Sequence, residues 1–224
     1  MYGSESQPVP LLRQYTVHVD VWRRILVSFS LLISIPLLAA DRPVIVCYGD
    51  SITAGLGLHQ GESYPDDLQR HLDRRGYHYK VVNMGTNGAT TKDAVARVQE
   101  VLRAHPSVVI VEFGGNDGLR GLRVDDTRKN LETVLTALDS AHIKVLLAGI
   151  TLPPNYGPDY VHAFNEVFRD VAAKQHPAAF VPMIYKDLVR QPGTIQDDGI
   201  HPTAKGADIL AETLMPSLIP LLRK

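Results

Sequence analysis

The stretch Val44-Ile45-Val46-Cys47-Tyr48-Gly49-Asp50-Ser51-Ile52-Thr53-Ala54-Gly55 decides how the chain reads. Val44 to Tyr48 is a short apolar run rich in β-branched residues, the pattern of a buried strand. Gly49-Asp50-Ser51 stops it in a tight turn that displays Ser51 at the strand's carboxyl end. In open α/β sheets ligands bind beyond that end. Asp50 and Ser51 are also good helix caps, so the turn alone leaves a capping role and a chemical role both open.

Working outward, strand and helix patterns alternate. An amphipathic helix over Tyr64–Arg75 ends at Gly76, and Tyr79–Val82 is a short strand. A helix from about Lys92 to Ala104 is broken by Pro106, and Ser107–Phe113 is a nearly all-apolar strand. Asp125 or Asp126 is placed to cap a helix running to about Ser140. Lys144–Ile150 is a fourth strand, Tyr160–Lys174 a helix and Ala179–Met183 a short fifth strand. The last helix runs from about Thr203 to Leu214, with continuation beyond Pro216 left open. Continuous apolar strands separated by helices predict a parallel sheet covered on both faces.

Residues 41–224 form one such domain, with no internal repeat. Ahead of it, residues 1–40 carry Trp22-Arg23-Arg24 followed by an apolar run from Ile25 to Ala40 that contains Pro36. A basic segment, a short apolar core and small residues before Asp41 describe a secretory signal peptide. The run falls short of the roughly 20 residues of a membrane span. The expected location is periplasmic or secreted, with a retained membrane anchor as the alternative. The 224 residues carry 45% hydrophobic and 21% charged residues and a net charge of -1. No basic stripe points to nucleic acid. No H-E-x-x-H or paired C-x-x-C points to a metal. Cys47, the single cysteine, lies inside an apolar strand, where burial disfavours the thiolate.

Each of the first three strands is followed by an unusual loop. After Gly49-Asp50-Ser51 come Asn83-Met84-Gly85-Thr86-Asn87-Gly88-Ala89-Thr90 and then Gly114-Gly115-Asn116-Asp117-Gly118. A parallel sheet brings these loops to one edge. Near the C-terminus, Asp197-Asp198-Gly199-Ile200-His201-Pro202 pairs a carboxylate with an imidazole. Acyl transfer needs a nucleophile, a base, a group that orients the base, and donors for the oxyanion. Ser51, His201 and Asp198 fill the first three roles. The N–H groups of Ser51 and Gly88 and the Asn116 amide fill the fourth. Asp197 competes with Asp198 as the orienting group. Asp50 and Asp117 read as loop supports, and most remaining histidines, His71 among them, as surface residues. The G-x-S-x-G elbow of α/β-hydrolases is absent.

These four blocks, Gly49-Asp50-Ser51, Gly88, Gly115-Asn116-Asp117 and Asp198-x-x-His201, resemble those of the SGNH (GDSL) hydrolases in order and spacing across nearly the whole chain after Asp41. The similarity is strongest to the bacterial branch of periplasmic thioesterases, lysophospholipases and arylesterases, through Gly114–Gly121, Leu152–Gly157 and Gln196–Pro202. Ala89 departs from it, since that branch commonly carries an acidic residue there. The resemblance implies a flavodoxin-like three-layer α/β/α sandwich on five parallel strands. It also implies Ser51, Asp198 and His201 as the triad, Ser51, Gly88 and Asn116 as the oxyanion hole, and no cofactor or metal. Expected substrates are small acyl esters and thioesters, with lysophospholipids a further class, and a monomer is expected. Gly118, Leu119, Arg120, Leu152 and Pro153 are the candidate substrate contacts, with Gly118–Val124 read as a mobile flap over an acyl chain. Two rivals are a carbohydrate deacetylase of the same fold and an inactive binding module. The absence of an aromatic sugar platform weighs against the first, and the intact Ser51, Asp198 and His201 against the second.

Overall fold

A computed structural model describes residues 42–224 together with Gly3. The expected signal peptide over residues 1–40 lies outside the described residues. No helix among those described is long and apolar enough to cross a membrane.

Five parallel strands form one sheet: β1 (Val44–Gly49), β2 (Lys80–Asn83), β3 (Val108–Glu112), β4 (Lys144–Ala148) and β5 (Ala179–Val181), in the order β2-β1-β3-β4-β5. The helices are α1 (Ser51–Ala54), α2 (Tyr64–Arg74), α3 (Thr91–Arg103), α4 (Gly115–Leu119), α5 (Val124–Ser140), α6 (Pro158–Gln175) and α7 (Ala204–Leu218). Helices α3, α5 and α6 pack side by side, while α2 packs against α7. The expected three-layer sandwich with five parallel strands is the architecture found.

The reason is visible in the strands. Ile45 to Tyr48 and Val108 to Val111 are buried along their whole length, as central strands covered by helices on both faces must be. Tyr48 meets Phe113 edge to face at 4.8 Å between ring centres, and Phe164 meets Phe168 at 5.4 Å. In this strand order the chain leaves β1 toward β2 and returns on its other side as β3. That reversal opens a crevice at the carboxyl ends of β1 and β3.

Several boundaries differ from expectation. Strands β4 and β5 stop two residues early, because Pro182 has no N–H to continue the ladder. Asp125 and Asp126 do not cap α5. The cap position is Arg123, and both aspartates sit in the first turn, where negative charge complements the helix dipole. Helix α7 runs through Pro216 to Leu218. His105, His142 and His176 follow helices in the left-handed conformation, with φ of 45°, 58° and 48°, where glycine is the usual residue.

Candidate active site

The sheet's crevice collects the loops singled out above. Ser51 opens α1 directly after β1, and Asp50 caps that helix by accepting the Ile52 N–H at 3.0 Å. The loop after β2 is tied to the same turn. Asn83 donates to the Thr53 carbonyl at 2.8 Å, and Thr86 N–H donates to the Gly49 carbonyl. Gly85 has to be glycine because a Cβ there would overlap the Ala54 backbone. Gly88 suits its place through backbone conformation: its φ of 74° is left-handed, while the space around a Cβ is ordinary.

From the other side comes the segment before α7. Asp198 uses one carboxylate oxygen to accept the backbone N–H groups of Ile200 (2.9 Å) and His201 (3.0 Å). Its other oxygen meets His201 Nδ1 at 2.6 Å. The ring is thereby fixed with Nδ1–H toward Asp198, and Nε2 lies 2.9 Å from Ser51 Oγ. Burial pushes the Asp198 carboxyl up, but the ring and the two N–H groups outweigh it and hold it below the ordinary carboxylate range. Asp197 makes no comparable contact among the described residues. The turn is anchored by Gln196, whose amide donates to the carbonyls of Leu56 and Pro202 (2.8 and 2.7 Å), and by Tyr185 donating to the Ile200 carbonyl at 2.9 Å.

Asn116, on α4 beyond β3, directs its amide nitrogen to the Ala89 carbonyl (3.0 Å) and Asp50 Oδ2 (3.2 Å). The N–H groups of Ser51 and Gly88 have no acceptor among the described residues. Ser51, Gly88, Asn116 and His201 all line one cavity of about 460 Å³, whose other walls include Leu119, Ile150, Leu152, Pro153, Met183 and Val189. The cavity thus sets these polar groups among mostly apolar walls.

Of the expected substrate contacts, Leu119, Leu152 and Pro153 line the cavity. Gly118 and Arg120 do not. Gly118 is buried behind the wall, where a side chain would collide with Leu152. Arg120 reaches sideways to hold the Gly88 carbonyl at 2.8 Å. The expected flap is tied to a distant segment: Tyr156 and Tyr160 hydroxyls donate to the carbonyls of Leu119 (3.0 Å) and Leu122 (2.7 Å).

Behind the nucleophile lies a buried acidic residue that sequence reasoning missed. Glu112, at the end of β3 opposite Gly49, accepts the Thr53 hydroxyl at 2.8 Å. Its other oxygen is buried without a partner. Burial first, then the neighbouring Asp50 charge, pushes its carboxyl well above the ordinary range. Burial likewise lifts the Asp50 carboxyl to about 6 and the Cys47 thiol to about 12. Asp117 accepts the N–H and hydroxyl of Thr91 (2.9 and 2.5 Å), the loop support expected of it. His71, expected on the surface, is buried between α2 and α7.

Comparison with known proteins bears on the same residues. The model of the GDSL-like lipase/acylhydrolase family matches residues 47–209. The esterase TesA of Pseudomonas aeruginosa is 39% identical over 89% of this chain and all of its own length. The thioesterase 1/protease 1/lysophospholipase L1 of Escherichia coli is 32% identical over 87% of this chain and 92% of its own. The crystal structure of TesA superposes with a TM-score of 0.76 at 40% identity, covering 80% of this chain and 99% of that one.

Proposed function

The chain belongs to the GDSL-like lipase/acylhydrolase family and is a serine ester and thioester hydrolase, and on that premise we propose that Ser51, His201 and Asp198 carry the reaction. The observation that supports this most directly is the continuous line Ser51 Oγ to His201 Nε2 (2.9 Å) and His201 Nδ1 to Asp198 Oδ2 (2.6 Å) beside a mostly apolar cavity.

Ser51 attacks the acyl carbonyl carbon while His201 Nε2 takes its proton. Asp198 holds the ring and offsets the imidazolium charge. The carbonyl oxygen becomes an oxyanion that receives the unclaimed N–H groups of Ser51 and Gly88 and the Asn116 amide. His201 then gives the proton to the departing alcohol or thiol, leaving an acyl-enzyme, and water activated by the same ring releases the acid. The apolar walls at Leu119, Ile150, Leu152 and Pro153 take the acyl chain, which extends the reading to lysophospholipids.

Mass spectrometry after treatment with an organophosphonate tests the assignment. The adduct is expected on Ser51, and Ser51→Ala should lose several orders of magnitude in kcat with an unchanged melting temperature. An adduct elsewhere, or an active Ser51→Ala, refutes it. Export through the segment before Asp41 belongs to the same proposal. N-terminal sequencing of native protein from the cell envelope should begin after about Ala40, and a retained Met1 or Trp22 region would refute cleavage.

A further inference from the structure

Asn116 is useful to an oxyanion only if its amide presents nitrogen, and not oxygen, to the reacting centre. The two ends of an amide are nearly the same shape, so sterics alone do not choose between them. The choice falls to what the nitrogen meets, here the Ala89 carbonyl and Asp50 Oδ2. Of these, only Asp50 changes with pH. An ionised carboxylate only accepts, whereas a protonated one also donates and can face an amide oxygen instead. We propose that the Asp50 carboxylate is a positioning residue for the hydrolytic reaction: in its charged form it holds one Asn116 N–H, so that the amide keeps its nitrogen toward the crevice and its second N–H, resting on the Ala89 carbonyl, passes to the oxyanion. The inference rests on the Ser51 reading above.

The surroundings of Asp50 suit this task. The residue is 1% exposed, so no solvent competes for its oxygens. Oδ1 is committed to the Ile52 N–H, which fixes the carboxylate plane and leaves Oδ2 for Asn116. Gly115 lets Oδ2 come close, since a Cβ there would lie 3.3 Å away. The groups facing Asp50 are Glu112 from the end of β3, Asp117 from α4, His201 from the segment before α7, and Tyr185 beyond β5. Burial lifts its carboxyl to about 6, against bonds from Ile52 and Asn116 that favour the charge. Its protonation therefore falls where esterase activity is measurable.

The test uses pH profiles of kcat/KM on a soluble p-nitrophenyl ester. A histidine base that must be neutral gives an acid limb of unit slope. Asp198, held below the ordinary carboxylate range, adds nothing above about pH 5. If Asp50 must also be charged, the wild-type limb steepens toward a slope of two, about a hundredfold per pH unit. Asn116→Ala has no amide to orient, so its limb should return to unit slope, about tenfold per pH unit. Asp50→Asn places an amide against an amide, and should lower kcat about a hundredfold with KM little changed, the loss typical of a missing oxyanion donor. Because both changes disable one donor, Asp50→Asn in the Asn116→Ala background should add less than about threefold. A wild-type limb of unit slope, a limb as steep in Asn116→Ala as in wild type, or multiplying losses in the double variant would each overturn the role given to Asp50. The two pH profiles decide the matter even where Asp50→Asn does not fold. Organophosphonate labelling runs alongside: unlabelled wild-type Ser51 sinks the serine-hydrolase reading, whereas labelled Ser51 with multiplying losses sinks only this inference.

Discussion

Two histidines of this protein each meet a carboxylate at close range, and only one faces a nucleophile. His201 has Asp198 at Nδ1 (2.6 Å) and Ser51 Oγ at Nε2 (2.9 Å). His71, on α2, has Glu212 at Nδ1 (2.8 Å) and Asp208 at Nε2 (2.7 Å), both from α7. Arg74 and Arg75 crowd the same Nδ1, and Arg70 occupies nearby Asp67. Both ring nitrogens of His71 are thus answered by other side chains, and the cluster joins two helices. Around His201 one ring nitrogen is left for a hydroxyl, at the sheet edge where the crevice opens. A histidine–carboxylate pair is therefore no sign of catalysis by itself; the third partner and its place on the sheet decide.

The largest effect should separate the two rings. His201→Ala is expected to lower kcat by roughly four to six orders of magnitude, since members of a triad act as a unit, with little change in melting temperature. His71→Ala should leave kcat intact and cost about 1–3 kcal/mol of stability, because it strands groups that the ring now satisfies. That is a fall of a few degrees in melting temperature for a domain of this size. Steady-state kinetics and thermal melts on both variants measure it, and a kcat collapse in His71→Ala would end the distinction.

The carboxylates come next. Asp198→Asn keeps the shape but stabilises the wrong ring tautomer, and should cost roughly 10⁴ in kcat. Asp208→Asn, in which the altered side chain is 53% exposed, should change neither kcat nor, by more than about 1 kcal/mol, stability. Asp197→Asn should also be nearly silent. If Asp197→Asn proves more damaging than Asp198→Asn in the same assay, the orienting role has been given to the wrong residue.

The same contrast explains what could be read in the sequence. Ser51, Gly88, Asn116, Asp198 and His201 each sit within a short distinctive stretch, and local signals place them at strand ends or in one tight turn. The parallel sheet then brings those ends together, so the fold class and the site were legible together. The contacts of His71 join residues 137 positions apart, and nothing in α2 alone announces α7. Glu112 read as one polar residue closing an apolar strand, because its burial depends on α1 folding back over it through Thr53. The hold of Arg120 on the Gly88 carbonyl was not legible, because an arginine beside a flexible-looking glycine pair gives no hint of it. The tyrosines that hold the expected flap belong to a segment more than thirty residues away, so its own sequence does not show them. The helix ends at His105, His142 and His176 carry no glycine to mark their left-handed residues.

Glu112 gives the smallest effect and sharpens the contrast from the other side. Two carboxylates around His71 meet an arginine, Glu212 with Arg75 and Asp67 with Arg70, whereas Glu112 is buried with one hydroxyl, an unpartnered oxygen and the Asp50 charge nearby. Its carboxyl is therefore raised well above the ordinary range, by burial first. The native state holds a proton there that the unfolded chain releases above about pH 4.3. Where the native state binds more protons than the unfolded one, stability falls as pH rises. The contribution of Glu112 is fully present below the unfolded pKa and is lost as pH climbs toward the folded one. Glu112→Gln keeps an oxygen for the Thr53 hydroxyl and has no proton to lose. Its melting temperature should thus gain on wild type steadily from pH 4.5 to pH 8, with kcat changed by only a few fold, since the residue does not touch the reacting atoms. Thermal melts across that range measure the gain. A difference that stays flat with pH would mean that Glu112 carries the same charge in the folded and unfolded chain, and that its burial against Asp50 is matched by groups other than Thr53.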